Sequence, residues 1–162
     1  MPKSSIDKTM VKLCRLKDLN KNQKEQFHEL ADACIEHEEW MNTRKHCLFI
    51  STDFFTSFKN AYAVFDETHA DGIRGVALLH INRRSEEACI SHLYVPNKHR
   101  HQGIARSILL KAVTFAQKSG KIPVLKVNPL NTKAISIYKK FGFTASPDQA
   151  IKMEFRRQSE QA

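Results

Sequence analysis

The stretch VPNKHRHQGIARSILL, residues 95–110, gathers Lys98, His99, Arg100, His101 and Arg106 around a single glycine, Gly103. On its N-terminal side, EEACISHLYV (86–95) carries the β-rich, alternating composition of a strand. On its C-terminal side, Ile104, Ile108, Leu109, Ala112, Val113 and Ala116 recur at helical spacing until Ser119-Gly120, a glycine stop signal. The period therefore changes from strand to helix at Gly103. A further strand, IPVLKV (122–127), follows that helix. A strand, helix, strand unit of this length predicts a parallel pair joined by a right-handed crossover.

Working outward, MVKLCRL (10–16) reads as a first strand and NQKEQFHELADACIEHEEW (22–40) as a long helix with Phe27, Leu30, Ala31, Cys34 and Ile35 on its buried stripe. Ser51 or Thr52 can cap a short helix through TDFFTSFK (52–59). NAYAVFDE (60–67), GIRGVALLHINRR (72–84) and EEACISHLYV are three strands separated by the turn-forming THADG and RRSEE, which predicts an antiparallel meander. After IPVLKV, Asn131 is a candidate N-cap for NTKAISIYKKFGF (131–143), whose inner face is Ala134, Ile135 and Tyr138 and whose stop is Gly142. A last strand, AIKMEFRR (150–157), precedes a polar tail. The expected fold is α/β: a mixed, mostly antiparallel sheet with a central parallel pair, strands 4 and 5, flanked by helices. One domain over residues 1–162 is expected, with flexible tails at about 1–9 and 157–162, because no linker, repeat or low-complexity tract interrupts the chain.

Composition narrows the chemistry. With 41% hydrophobic residues in 162, the chain is long enough to bury a core, and no apolar run approaches the roughly 18 residues that span a bilayer. The polar start MPKSSIDKTM lacks the apolar core of a secretory signal, which points to a cytoplasmic protein. Cys14, Cys34, Cys47 and Cys89 form no CxxC pair and read as reduced thiols; the eight histidines show no ligand spacing, so no metal site is expected. A formal charge of +9 attracts anions of any kind, while Glu29, Asp32, Glu36, Glu38 and Glu39 cluster on the first long helix. Those acids are either a solvated helix face or a docking surface for a cationic amine.

A helix that starts just after a strand offers unpaired N–H groups and the positive end of its dipole, and a glycine there admits an anion to the backbone. Gly103 supplies that opening, Ala105 the next closest approach, and Lys98, Arg100 and Arg106 the charge. The loop is neither GxGxxG nor a P-loop ending in GKS or GKT, so a nicotinamide cofactor and nucleotide hydrolysis are unsupported.

Two linked patterns resemble the GNAT superfamily of N-acetyltransferases over most of the chain: RHQGIA (100–105) for R/Q-x-x-G-x-G/A, and Asn131 to Phe143 for N-x-x-A-x-x-x-Y-x-x-x-G-F. The resemblance implies an acetyl-CoA site in a wedge between strands 4 and 5. The pantetheine arm would lie along the main chain of Leu93, Tyr94 and Val95. The diphosphate would sit on the amides of His101, Gln102, Gly103, Ile104, Ala105 and Arg106. Asn131 and Ala134 would line the cofactor, and Tyr138 would protonate or hydrogen-bond the departing thiolate. The implied activity is acetyl transfer to a primary amine, small or peptidyl, by direct attack in a ternary complex; homodimers are common in the family.

An ammonium with a pKa near 10 has no lone pair, so a base is needed. The sequence departs from the family here: ACISHLYV offers Ser91, at the position that carries the base in the polyamine-acetylating branch, and His92, but no carboxylate. The candidates are His92, a water relay to a carboxylate such as Glu36, or an acceptor of low pKa, with His80 on the preceding strand weaker still. Two other readings remain. One is an acetyl-CoA-binding sensor without catalysis. The other is a basic nucleic-acid-binding module, against which stand the buried-looking phenylalanines and the lack of any recognition signature, so neither nucleic acid nor membrane is an expected partner.

Overall fold

The computed structural model describes residues 10–37, 59–81, 83–127, 129–146 and 152–156, with 35–37 through their backbone alone. Nearly all of the short helix expected across 52–59, both tails, Cys47 and the side chains of Glu36, Glu38 and Glu39 lie outside the described residues. The elements are β1 (Val11–Arg15), α1 (Lys21–His37), β2 (Ala61–Thr68), β3 (Gly72–Ile81), β4 (Glu87–Tyr94), α2 (Ile104–Lys118), β5 (Ile122–Lys126), α3 (Thr132–Phe141), β6 (Phe143–Ala145) and β7 (Lys152–Phe155). Single 3-10 turns at Leu16–Asp18 and Asn97–His99 precede α1 and α2.

Seven strands form one sheet in the order β1-β2-β3-β4-β5-β7-β6. Every neighbouring pair is antiparallel except β4 and β5, which run parallel through the α2 crossover. The sequence reading missed β6, a three-residue strand directly after the Gly142 stop: Phe143-Thr144-Ala145 is too short to show a period, and only pairing with β7 makes it a strand.

Strand alternation builds two cores, one on each face. Val64, Ala77, Leu79 and Ile90 point to the side covered by Ile108, Leu109, Ala112 and Ala116 of α2, where Ala134, Ile135, Tyr138 and Phe141 of α3 also pack. Ala63, Phe65, Val76 and Leu78 point to the other side, under Phe27 and Ala31 of α1. Each fully buried Leu, Ile or Phe contributes about 1.5–3 kcal/mol.

α1 starts with a reciprocal cap: Gln23 N donates to Asn20 Oδ1 (2.8 Å), and Asn20 N donates to Gln23 Oε1 (3.2 Å). Among the described residues, half-buried Arg74 reaches across the meander to buried Asp66, Nε to Oδ1 at 2.7 Å. Among the described residues no helix is long and apolar enough to cross a membrane.

Candidate functional site

The parallel ladder between β4 and β5 runs only from Glu87 opposite Ile122 to Ile90 opposite Leu125. Beyond it, Lys126 pairs with Lys152 of β7, while Ser91 and Tyr94 pair with Leu78 and Val76 of β3. The two strands part, leaving main-chain groups of each facing a gap rather than a neighbouring strand. The segment expected to carry the pantetheine arm, Leu93 to Val95, lies on this parted edge. Two of its carbonyls already have partners: Leu93 O accepts from Cys34 Sγ of α1 (3.6 Å), and Val95 O accepts from Arg100 Nε (2.8 Å).

The loop entering α2 turns through two left-handed residues, His101 (φ 63°) and Gly103 (φ 78°). The glycine is needed for its torsion: an added Cβ would meet nothing within 4 Å, so the side facing outward is open. The first helical hydrogen bond is Ser107 N to Gly103 O (3.1 Å), so the amides of Ile104, Ala105 and Arg106 precede the helical ladder. No acidic residue stands in the first turn to occupy that positive end. These features fit a phosphate-bearing ligand.

Arg100, read from sequence as phosphate charge, also braces the loop through Val95 O, and its guanidinium lies 5.8 Å from the centre of the Tyr94 ring. The Arg106 guanidinium lies 5.8 Å from that of Phe141, which links the start of α2 to the end of α3.

Depth at this corner comes from Gly75 of β3, a residue the sequence reading passed over. A Cβ there would lie 2.8 Å from Ile104 Cγ2, 3.0 Å from Ile108 Cδ1 and 3.1 Å from Val95 Cγ2. The bare glycine lets the first turn of α2 sit directly against the sheet, beside the end of β4.

α3 begins where expected: Asn131 Oδ1 accepts from Ala134 N (3.1 Å), so its side-chain oxygen is engaged in the cap. Ala134, Ile135 and Tyr138 form the inner stripe, half-buried against the core, and the Tyr138 ring centre is 6.1 Å from that of Phe143.

The β4 backbone carries the largest surprise. Between Leu78 opposite Ser91 and Val76 opposite Tyr94, β3 spends one residue while β4 spends two, a bulge formed by His92 and Leu93. His92 is left-handed (φ 55°) and only 1% exposed. Ile90 belongs to the core beneath α2 and Leu93 packs against it, so simple alternation is broken. Ser91 pairs with Leu78, whose side chain belongs to the core under α1, and Ser91 Oγ lies 2.8 Å from His92 Nδ1.

His80 is placed one row farther from the gap, opposite Cys89. Burial holds its pKa below the ordinary value and pushes the Cys89 thiol up, so both are neutral near pH 7. On α1, Glu29 is exposed and Asp32 half-buried. No cluster of three or more metal-ligating side chains occurs among the described residues.

The model of the acetyltransferase (GNAT) family matches residues 19–143. No curated protein matches the chain in sequence. Among solved structures, a GNAT-family acetyltransferase from Staphylococcus aureus Mu50 is similar with a TM-score of 0.66 at 12% identity, covering 90% of this chain and 98% of that one. PaiA N-acetyltransferase from Thermoplasma acidophilum, in complex with coenzyme A, gives 0.62 at 17% identity, with 91% and 99% covered. A nourseothricin acetyltransferase gives 0.53 at 21% identity over 60% of this chain, which spans 65% of that protein's length. At such identities the structures share a fold, but the family match covers well over half of the residues. The chain belongs to the GNAT acetyltransferase family.

Proposed function

We propose that this protein is an N-acetyltransferase that carries the acetyl group of acetyl-CoA to a primary amine, small or peptidyl, by direct attack in a ternary complex. The observation that supports it best is the parting of β4 and β5 beside the unpaired amides of α2. In this reading the amides from His101 to Arg106 hold the diphosphate, and the edge from Leu93 to Val95 guides the arm. Asn131 and Ala134 line the approach to the thioester.

The chemistry needs two proton movements. His92 takes a proton from the acceptor's ammonium, which frees the lone pair that attacks the thioester carbonyl. As the C–S bond breaks, negative charge collects on sulfur, and the Tyr138 phenol donates a hydrogen bond or its proton there. The acidic residues of α1 favour an acceptor with positive charge.

Thiol release from acetyl-CoA across polyamines, amino acids, aminoglycosides and lysyl or N-terminal peptides tests the reading. Turnover with one class establishes it and names the acceptor. A rise in melting temperature with acetyl-CoA but no turnover with any amine overturns it in favour of a sensor.

A further inference from the structure

We infer that Ser91 is a positioning residue that fixes the tautomer and orientation of His92, an inference resting on the proposed role of His92 as base. The motivating observations are geometric. His92 occupies the bulge in a left-handed conformation that costs a non-glycine residue about 1–2 kcal/mol, and its ring is shut away from solvent. Strain of this kind persists where the surroundings over-determine it, and it concentrates at functional sites. One contact of the ring is with its own neighbour: Ser91 Oγ is 2.8 Å from Nδ1. In an unbulged strand, adjacent side chains point to opposite faces and could not meet this way. The bulge thus creates the pair, at the point where β4 leaves β5.

An imidazole removes a proton through one nitrogen only when the other already carries one. With Nδ1–H donating to Ser91 Oγ, Nε2 holds the lone pair that takes the acceptor's proton. The bond persists when His92 becomes an imidazolium, because Nδ1–H is present in both forms. A hydroxyl acceptor also favours the charged ring, though less than a carboxylate does. Among the described residues, other titratable groups on the surrounding elements include His28, Asp32 and Cys34 on α1, His80 on β3, Cys89 on β4 and Lys126 on β5. Substitution at Ser91 leaves each of them in place, so a change in the profile reads the Ser91 contact.

The test is the pH dependence of kcat/KM between about pH 5 and 10, by thiol release from acetyl-CoA with the fastest acceptor among spermidine, a free amino acid and a lysyl peptide. Activity requires the neutral imidazole, so the acid limb follows the stability of the imidazolium. Ser91→Ala lowers kcat/KM by about tenfold, a fraction of the roughly 10²–10⁴ that a general base supplies, and moves the acid limb down. Ser91→Asp moves the limb up by about one pH unit, because a carboxylate stabilises the charged ring. Ser91→Thr stays within about threefold of wild type, since it keeps the hydroxyl and suits a strand.

His92→Ala separates the two claims. If its acid limb equals that of wild type, His92 is not the base and the underlying reading fails. If His92→Ala removes the limb while Ser91→Ala and Ser91→Asp leave it in place, Ser91 does not position His92 and this inference alone fails. Should Ser91→Ala melt below the assay temperature, the upward shift expected of the Asp variant, set against the wild-type limb expected of the Thr variant, still decides the matter.

Discussion

Gly75→Ala places a methyl group where Ile104, Ile108 and Val95 converge, at 2.8, 3.0 and 3.1 Å. The nearest of these belongs to the first residue of α2, so relief comes from lifting the helix start away from β3. Overpacking of this size costs about 1–3 kcal/mol, against which a less flexible unfolded chain returns about 0.4–1. A net loss of about 1–2 kcal/mol lowers Tm by roughly 2–8 °C for a protein of this length.

The second consequence is functional, because the same helix start carries the amides of Ile104, Ala105 and Arg106. Acetyl-CoA at a hundred times its Kd stabilises a protein by about 2.7 kcal/mol; if lifting the helix weakens binding tenfold, the same concentration gives about 1.4 kcal/mol. Differential scanning fluorimetry with and without acetyl-CoA reads both numbers: a lower apo Tm and a ligand-induced shift cut to about half. Adding Ile104→Ala removes the nearest clashing methyl, so the double variant loses less than the sum of the singles, by about 0.5–3 kcal/mol of coupling. An unchanged apo Tm together with an unchanged acetyl-CoA shift would refute the claim that bare backbone at Gly75 seats the anion loop.

Three further outcomes follow from other parts of the fold. Tyr138→Phe lowers kcat by about 10²-fold while keeping the thermal shift with acetyl-CoA, because the ring still packs and only the phenol proton is lost; an undiminished kcat removes Tyr138 from the chemistry. His80, whose pKa is held down by burial, binds protons more readily when unfolded, so its contribution to stability is present above about pH 6.5 and fades as pH falls through that value towards its folded pKa. Urea melts of His80→Gln, flatter than wild type between pH 7 and 5, check that sign. Arg74→Met leaves the buried Asp66 carboxylate without this partner and costs about 3 kcal/mol, most of which returns in the double variant with Asp66→Asn; equal stability of both variants would show that Asp66 does not depend on Arg74.

The element types and their order were written into local pattern. Alternation in the meander, the helical period from Ile104, the Asn131 cap and the glycine stops at 120 and 142 each report a short-range preference that tertiary packing then reinforces. β6 escaped because three residues hold no period, and it exists only through its partner β7. Gly75 escaped because its role is a distance to a helix that begins 29 residues later, a relation that no window of sequence contains. The same is true of Cys34, legible as part of a buried stripe but not as the group that meets Leu93 O.

The site divides along the same line. Gly103 and the amides after it could be read directly, since a strand-to-helix junction with a glycine creates unpaired donors whatever the rest of the chain does. The pair formed by Ser91 and His92 could not. Period-two geometry sends neighbouring residues to opposite faces, and it is at the bulge against β3 that Oγ comes within 2.8 Å of Nδ1. Sequence alone determined most of the elements and where helix-start amides precede the helical ladder, because those depend on backbone torsions and local period. Tertiary structure decided what lies at the parted edge of β4, because a bulge is a mismatch between two strands and belongs to neither of them.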